Sequence, residues 1–176
     1  MAQVGWEFTV RPVDVSEELK TGIPPSEAVV ELALRKAQAC PVTEGLVIAA
    51  DTLVVLDEQV LGKPASVEDA KAMLLALSGR EHKVITGVAV LNAAKGEYLL
   101  EAEETGVCFR TLAEEEVEAY IRSGEPMDKA GAYGIQGKGA LLVDGITGCY
   151  FNVVGLPLTR LAKMLQAFGY SKAFNF

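Results

Sequence analysis

Two β-patterned runs, residues 84–91 and 98–110, are separated only by a turn around residues 92–96, and this constrains the fold more than any other feature. Strands joined so tightly run antiparallel, because parallel neighbours need a crossover of roughly a dozen residues or more. Helical patterns surround the pair. Val29, Val30, Ala33, Leu34 and Ala37 form an apolar stripe over residues 26–39 behind a candidate cap at Ser26. Ser66 with Asp69 opens a second helix that ends near Gly79, and Thr111 with Glu114 opens a third that runs to about Ser123. Residues 156–168 form a closing amphipathic helix, and residues 169–176 read as a frayed or edge-packed tail.

Shorter β patterns fill the gaps. Trp6, Phe8 and Val10 alternate with Glu7 and Thr9, which predicts a half-buried strand before the acidic, turn-prone segment 14–25. Residues 46–50 form an apolar run ending at Asp51, residues 53–56 a second strand turned at 57–59, and residues 140–146 another. Strands and helices interleaved around a hairpin predict a mixed-sheet α/β or α+β fold, not a regular βαβ repeat.

With 176 residues, half of them hydrophobic, and no Ser- or Gly-rich linker, the chain reads as one domain with a well-packed core. A net charge of −8 argues against a surface that coats nucleic acid, though a few lysines suffice for a small anionic ligand. No apolar run approaches the roughly 20 residues of a membrane helix, and the N-terminus lacks a secretory pattern, so the expected location is the cytoplasm. Cys40, Cys108 and Cys149 are scattered without metal-ligand spacing and read as reduced, partly buried thiols.

Chemistry concentrates in two stretches. Residues 124–139 place Gly131, Gly134, Gly137 and Gly139 around Tyr133 and Gln136, just after Asp128 and Lys129. Glycine favours backbone that must take positive φ or approach a ligand, so a ligand-facing loop is expected. Upstream, residues 49–64 carry Asp51 and Lys63. A carboxylate at a strand tip can hold a divalent cation or orient a water, or simply cap the following turn. Lys63, between Gly62 and Pro64, is a candidate phosphate contact or a solvated loop lysine. Lys36 ends the first helix, where the dipole alone favours a cation. Glu17 or Glu18 could join Asp51 in a hard-cation site, since Mg²⁺ takes oxygen ligands and shares them with substrate phosphates. The single histidine, His82, reads as structural. P-loop and Rossmann signatures are missing. The residues alone lead to a soluble α/β domain, with metal-dependent chemistry on a phosphorylated ligand as one outcome.

Six ordered blocks add more: AADTLVV, LGKP, LSGREHKVITGVAV, FR-x-L-x-x-EEVEAYI, GEPMDKAGAYGIQGKGA and YFNVVGLPLTRL. In order and spacing they resemble the Maf family of nucleoside triphosphate pyrophosphatases, from about Trp6 to Gly169. The resemblance implies a Maf/ITPase-like α/β fold: an elongated, twisted mixed sheet flanked by helices, in two lobes with a central cleft. It implies hydrolysis of the α–β anhydride of a nucleoside triphosphate with Mg²⁺ or Mn²⁺, and a homodimer as one arrangement. The ADT and GIQG blocks look like the dTTP/UTP branch, with Thr52 and Gln136 at the base. By the same comparison Asp51 matches the catalytic acid/base and a metal ligand, and Lys36 and Lys63 match phosphate contacts. Glu17 matches the acidic metal-binding residue of the N-terminal loop, more loosely because Ser16 stands before it.

One departure carries an expectation. The family opens with a strand and a Ser-x-Ser-Pro-Arg-Arg loop that has no counterpart in this sequence, so the chain reads as a single Maf-like domain over 1–176 that is N-terminally truncated. Either the true start lies upstream or the protein is shortened. A shortened protein is expected to bind triphosphate weakly and to expose an apolar sheet edge. The rival reading is a catalytically impaired nucleotide-binding or interaction protein that keeps the Maf fold.

Overall fold

The computed structural model describes residues 1–18, 22–170 and 173. Among them the order is α1 (Pro25–Ala39), β1 (Leu46–Leu56), β2 (Gln59–Leu61), α2 (Val67–Leu77), β3 (Glu81–Asn92), β4 (Tyr98–Phe109), α3 (Glu114–Arg122), β5 (Val143–Thr147), α4 (Tyr150–Val154) and α5 (Leu158–Ala167). The α/β class expected from the sequence holds. The strands form one sheet in the order β2-β1-β3-β4-β5. They run antiparallel, so the parallel component of the expected mixed sheet is not among the described strands. Tight turns join β1 to β2 and β3 to β4, and only antiparallel neighbours permit that.

Two compact units emerge. The first comprises Met1–Asp51, Thr86–Glu103 and Gly155–Phe176. Alternation along the first half of β1 builds its core. Leu46, Ile48 and Ala50 pack with Val88, Val90, Leu161 and Leu165, whereas Val47 and Ala49 pack with Ala33, Ala37 and Ala89. The α1 side is made of small residues, and Gly87 is the extreme case. A Cβ there would lie 2.3 Å from the Val29 carbonyl carbon and 2.4 Å from its oxygen. Helix α1 therefore rests with its backbone directly on β3.

The N-terminal strand is not formed. After a short turn at Ala2–Val4, residues 5–18 have no regular structure. Phe8 and Val10 are 49% and 72% exposed, so their alternation has no core to face, although Trp6 packs near α5. Of the tail, Tyr170 and Ala173 pack in the same cluster, while 171–172 and 174–176 lie outside the described residues, as do 19–21 of the acidic segment. Among the described residues, no helix is long and apolar enough to cross a membrane.

The second unit comprises Thr52–Ile85 and Glu104–Val154. Val54, Leu56, Leu74, Leu77, Val107, Val117, Tyr120 and Tyr133 are among its core residues. Complete burial of Leu74 and Leu77 contributes about 2–3 kcal/mol each. Local signals read correctly here. The Ser66 hydroxyl accepts from the Asp69 amide at 3.2 Å, starting α2 where expected. Asp57 and Glu58, with φ of 47° and 66°, make the two-residue turn of the β1–β2 hairpin. Helix α3 starts at Glu114, and its cap is Ala113, not Thr111, because the Glu116 carboxylate takes the Ala113 amide at 3.0 Å while pairing bidentately with Arg110. The run expected as a strand from residue 140 begins as a 3-10 turn, and β5 starts only at Val143.

His82 belongs to this core. It is 2% exposed, its Nε2 lies 2.8 Å from the Tyr133 hydroxyl, and it meets Phe109 edge-on. Nδ1 has no partner among the described residues. Desolvation pushes its pKa down from 6.5 to about 4. The unfolded chain thus takes up a proton that the folded protein refuses. The associated stability is complete above pH 6.5 and is lost as pH falls towards 4. Between pH 7.5 and 4.5 this costs about 2–3 kcal/mol. The variant His82→Gln removes the titration and keeps an amide for Tyr133. Urea unfolding should show that it loses less stability than wild type over this interval. Equal losses contradict the assignment.

Candidate active site

Asp51 was expected at a strand tip, but β1 continues unbroken from Leu46 to Leu56, and Asp51 stands midway along it. The polar pair Asp51-Thr52 does not end the strand, because main-chain pairing with its neighbours is indifferent to those side chains. Alternation places Asp51 with Val47 and Ala49, on the side covered by α1, and points Thr52 to the opposite side. The close seat of α1 over Gly87 then brings Lys36, in its last turn, to Asp51.

Three charges meet there. The Lys36 ammonium lies 2.6 Å from Asp51 Oδ1 and 2.7 Å from Glu17 Oε1. Exposure grades outward: the side chains of Asp51, Lys36 and Glu17 are 11%, 21% and 52% exposed. Burial pulls the Lys36 pKa down, but hydrogen bonds to Asp51 and Glu17, with the charge of both, outweigh it and raise it above the usual value. Lys36 is therefore a fixed cation between two carboxylates. The inner pair is shielded from water and strong. The outer one is half exposed to water and worth no more than about 1 kcal/mol.

Segment 16–18 is held in place by the residue before Lys36. Arg35 donates to the Ser16 carbonyl at 2.5 Å and more weakly to that of Glu18 at 3.4 Å, while pairing with Glu31 at 3.3 Å. Neither Arg35 nor Gly87 was singled out from the sequence. Gly87 was detectable in principle, since a glycine inside a strand pattern marks a close backbone approach. Arg35 was not, because a helical Arg paired i,i+4 with Glu31 already has a bland role.

Lys63 and Gln136 belong to the second unit. Lys63 is exposed in the loop after β2, which is tied to the glycine-rich segment by the Gly131 amide donating to the Gly62 carbonyl at 3.0 Å. The two stretches flagged by chemistry thus touch within this unit. A hydrogen bond from Lys129, its charge and that of Lys63 hold Asp128 below its usual pKa. Gln136 is exposed at the head of the Gly137–Leu142 turn.

Three amides of the glycine-rich segment are engaged within the protein. Those of Lys138 and Gly139 donate to Glu125 at 3.1 and 3.0 Å, and that of Gly134 to the Tyr120 hydroxyl at 3.2 Å. Gly139 is required because a Cβ would lie 2.2 Å from the Gly134 carbonyl oxygen. The glycines serve internal close packing.

Asp51 and Glu17, on separate segments, are the carboxylates available to a hard cation; both now reach the Lys36 ammonium, and Mg²⁺ is normally held by one or two carboxylates plus substrate phosphates. Among the described residues no group of three or more His, Cys, Asp or Glu converges, so such an ion would depend on substrate oxygens.

The family model described as Maf-like protein matches residues 1–168. A relative from Moorella thermoacetica, named dTTP/UTP pyrophosphatase, is 51% identical over 171 residues, covering 96% of this chain and 88% of the relative. Relatives of the same name from Pelotomaculum thermopropionicum and Desulforamulus reducens are 49% and 46% identical, covering 97% and 96% of this chain and 91% and 90% of theirs. Similarity of this extent, running through every block quoted above, shows that the chain belongs to the Maf family.

Proposed function

We propose that this protein hydrolyses pyrimidine nucleoside triphosphates, dTTP and UTP foremost, to the monophosphate and pyrophosphate. The observation that carries the reading is the Lys36 ammonium held between Asp51 and Glu17 at 2.6 and 2.7 Å. The names of the relatives support the substrate class.

The oxygen of a water bonds to the α-phosphorus, the α–β anhydride bond breaks, and pyrophosphate leaves with the bridging oxygen. Asp51 orients that water and accepts its proton, and its shielded position in β1 keeps the carboxylate aligned. Lys36 is a fixed positive charge for the phosphate oxygens, and Lys63 is a second. Thr52 and Gln136 contact the base. Asp51 and Glu17 would hold a Mg²⁺ or Mn²⁺ ion, which would neutralise charge on the phosphates. The proposed substrates, free nucleotides, go with a cytoplasmic location.

Pyrophosphate release from a panel of nucleoside triphosphates tests the reading. Release should be greatest with dTTP and UTP, should vanish with a chelator, and should return with Mg²⁺ or Mn²⁺. No release from any triphosphate, with tight binding retained, would leave a binding protein in its place.

A further inference from the structure

Gln136 is exposed, yet the chain on both sides of it is anchored to one pair of side chains. Two residues before it, the Gly134 amide donates to the Tyr120 hydroxyl at 3.2 Å. Beyond it, the amides of Lys138 and Gly139 donate to the two oxygens of Glu125 at 3.1 and 3.0 Å. The anchors are themselves joined, since the Tyr120 hydroxyl donates to Glu125 at 3.0 Å.

The loop is built around that carboxylate. A Cβ on Gly137 would lie 2.9 Å from Glu125, and one on Gly139 would lie 2.7 Å from the Tyr120 hydroxyl oxygen. Burial opposes ionisation of Glu125, but the amides of Gly139 and Lys138 and the Tyr120 hydroxyl hold it below the usual carboxylate range. A charged acceptor bound to two amides and a hydroxyl is a strong local clamp. Tyr120, on α3, is fixed in turn, being 5% exposed in the core of this unit.

We propose that Glu125, with Tyr120, is a positioning residue for substrate selection: it holds segment 134–139 in the one conformation that presents Gln136 to the nucleobase. This rests on the pyrophosphatase reading. It adds a residue whose effect on the nucleotide passes through the loop and not through contact with the phosphates. A side chain held in place loses less freedom on binding, so the clamp acts on affinity for the base and not on the chemical step.

The experiment compares wild type, Glu125→Gln, Tyr120→Phe, Gln136→Ala and the Glu125→Gln/Gln136→Ala double variant. Glutamine keeps the size of Glu125, but its amide nitrogen cannot accept from a backbone N–H. Amide hydrogen exchange is read on the free protein, and kcat and KM are read for dTTP and for dGTP. In Glu125→Gln the Lys138 and Gly139 amides should exchange about tenfold faster, and KM for dTTP should rise about tenfold with kcat within about threefold. Tyr120→Phe should change both in the same direction. In the Gln136→Ala background, Glu125→Gln should add no further KM effect. Unchanged exchange, a full effect without Gln136, or equal losses for dTTP and dGTP overturn the proposal. A wild-type protein inactive on every triphosphate overturns the pyrophosphatase reading and the selection role with it, while exchange still decides whether Glu125 clamps the loop.

Discussion

Asp51→Asn should lower pyrophosphate release from dTTP by about 10³-fold, within the range found when a positioned general base is removed. The substitution is close to isosteric, so β1 and the α1 seat remain. Asparagine can still accept one hydrogen bond from Lys36, but it cannot take a proton from water. It also leaves the Lys36 ammonium with Glu17 as its one remaining charged partner of the two that now bracket it. The loss should therefore fall on kcat, with KM for the triphosphate changed much less, because an ammonium with one fewer carboxylate partner binds phosphate at least as well. Steady-state kinetics with saturating Mg²⁺, and a melting curve to verify folding, check this. A folded variant within tenfold of wild type would remove Asp51 from the chemistry.

The largest effect on stability should come from Gly87→Ala. The added methyl would sit 2.3 Å from the Val29 carbonyl carbon and 2.6 Å from the Val30 nitrogen, where ordinary contact needs about 3.5 Å. Both obstacles are helix backbone, so no rotamer change relieves the clash, and α1 must retreat from β3 by about 1 Å. Retreat opens the seam of Ala33, Ala37 and Ala89, whose own methyl groups are too short to refill it. A cost of roughly 3 kcal/mol or more is expected, or a melting temperature lower by about 10 °C. The same shift carries Lys36 away from Asp51, so kcat should fall in whatever fraction stays folded. A melting temperature within about 2 °C of wild type would contradict the packing account of how Lys36 is placed.

Features with local causes were legible in the sequence. Ser66 and Asp69 mark the start of α2 by bonding each other's neighbourhood, and the two β3–β4 strands are declared by their alternation and short turn. Features that depend on what lies across space were not. Trp6, Phe8 and Val10 alternate like a strand, yet no core lies under Phe8 and Val10, and periodicity alone carries no information about a partner. Asp51 looked like a strand end because a polar residue interrupts an apolar run, whereas the sheet continues through it. Thr111 looked like a cap until the Glu116 carboxylate, three residues into the helix, took that role for Ala113. In the glycine-rich run 124–139 the amides of Lys138 and Gly139 turn inward to Glu125, whose charge has no sequence signature of a clamp. Of the site itself, Glu17, Lys36 and Asp51 were each noticed, and the resemblance grouped them. The ammonium bridge that joins them needs α1 folded against β1 and β3, which no linear pattern shows.

The most direct test of the central claim is the identity of the products when wild-type protein turns over dTTP with Mg²⁺. Attack at the α-phosphorus predicts dTMP and pyrophosphate in equal amounts, with no dTDP. Accumulation of dTDP with inorganic phosphate would place the cleaved bond between the β- and γ-phosphates and contradict the account.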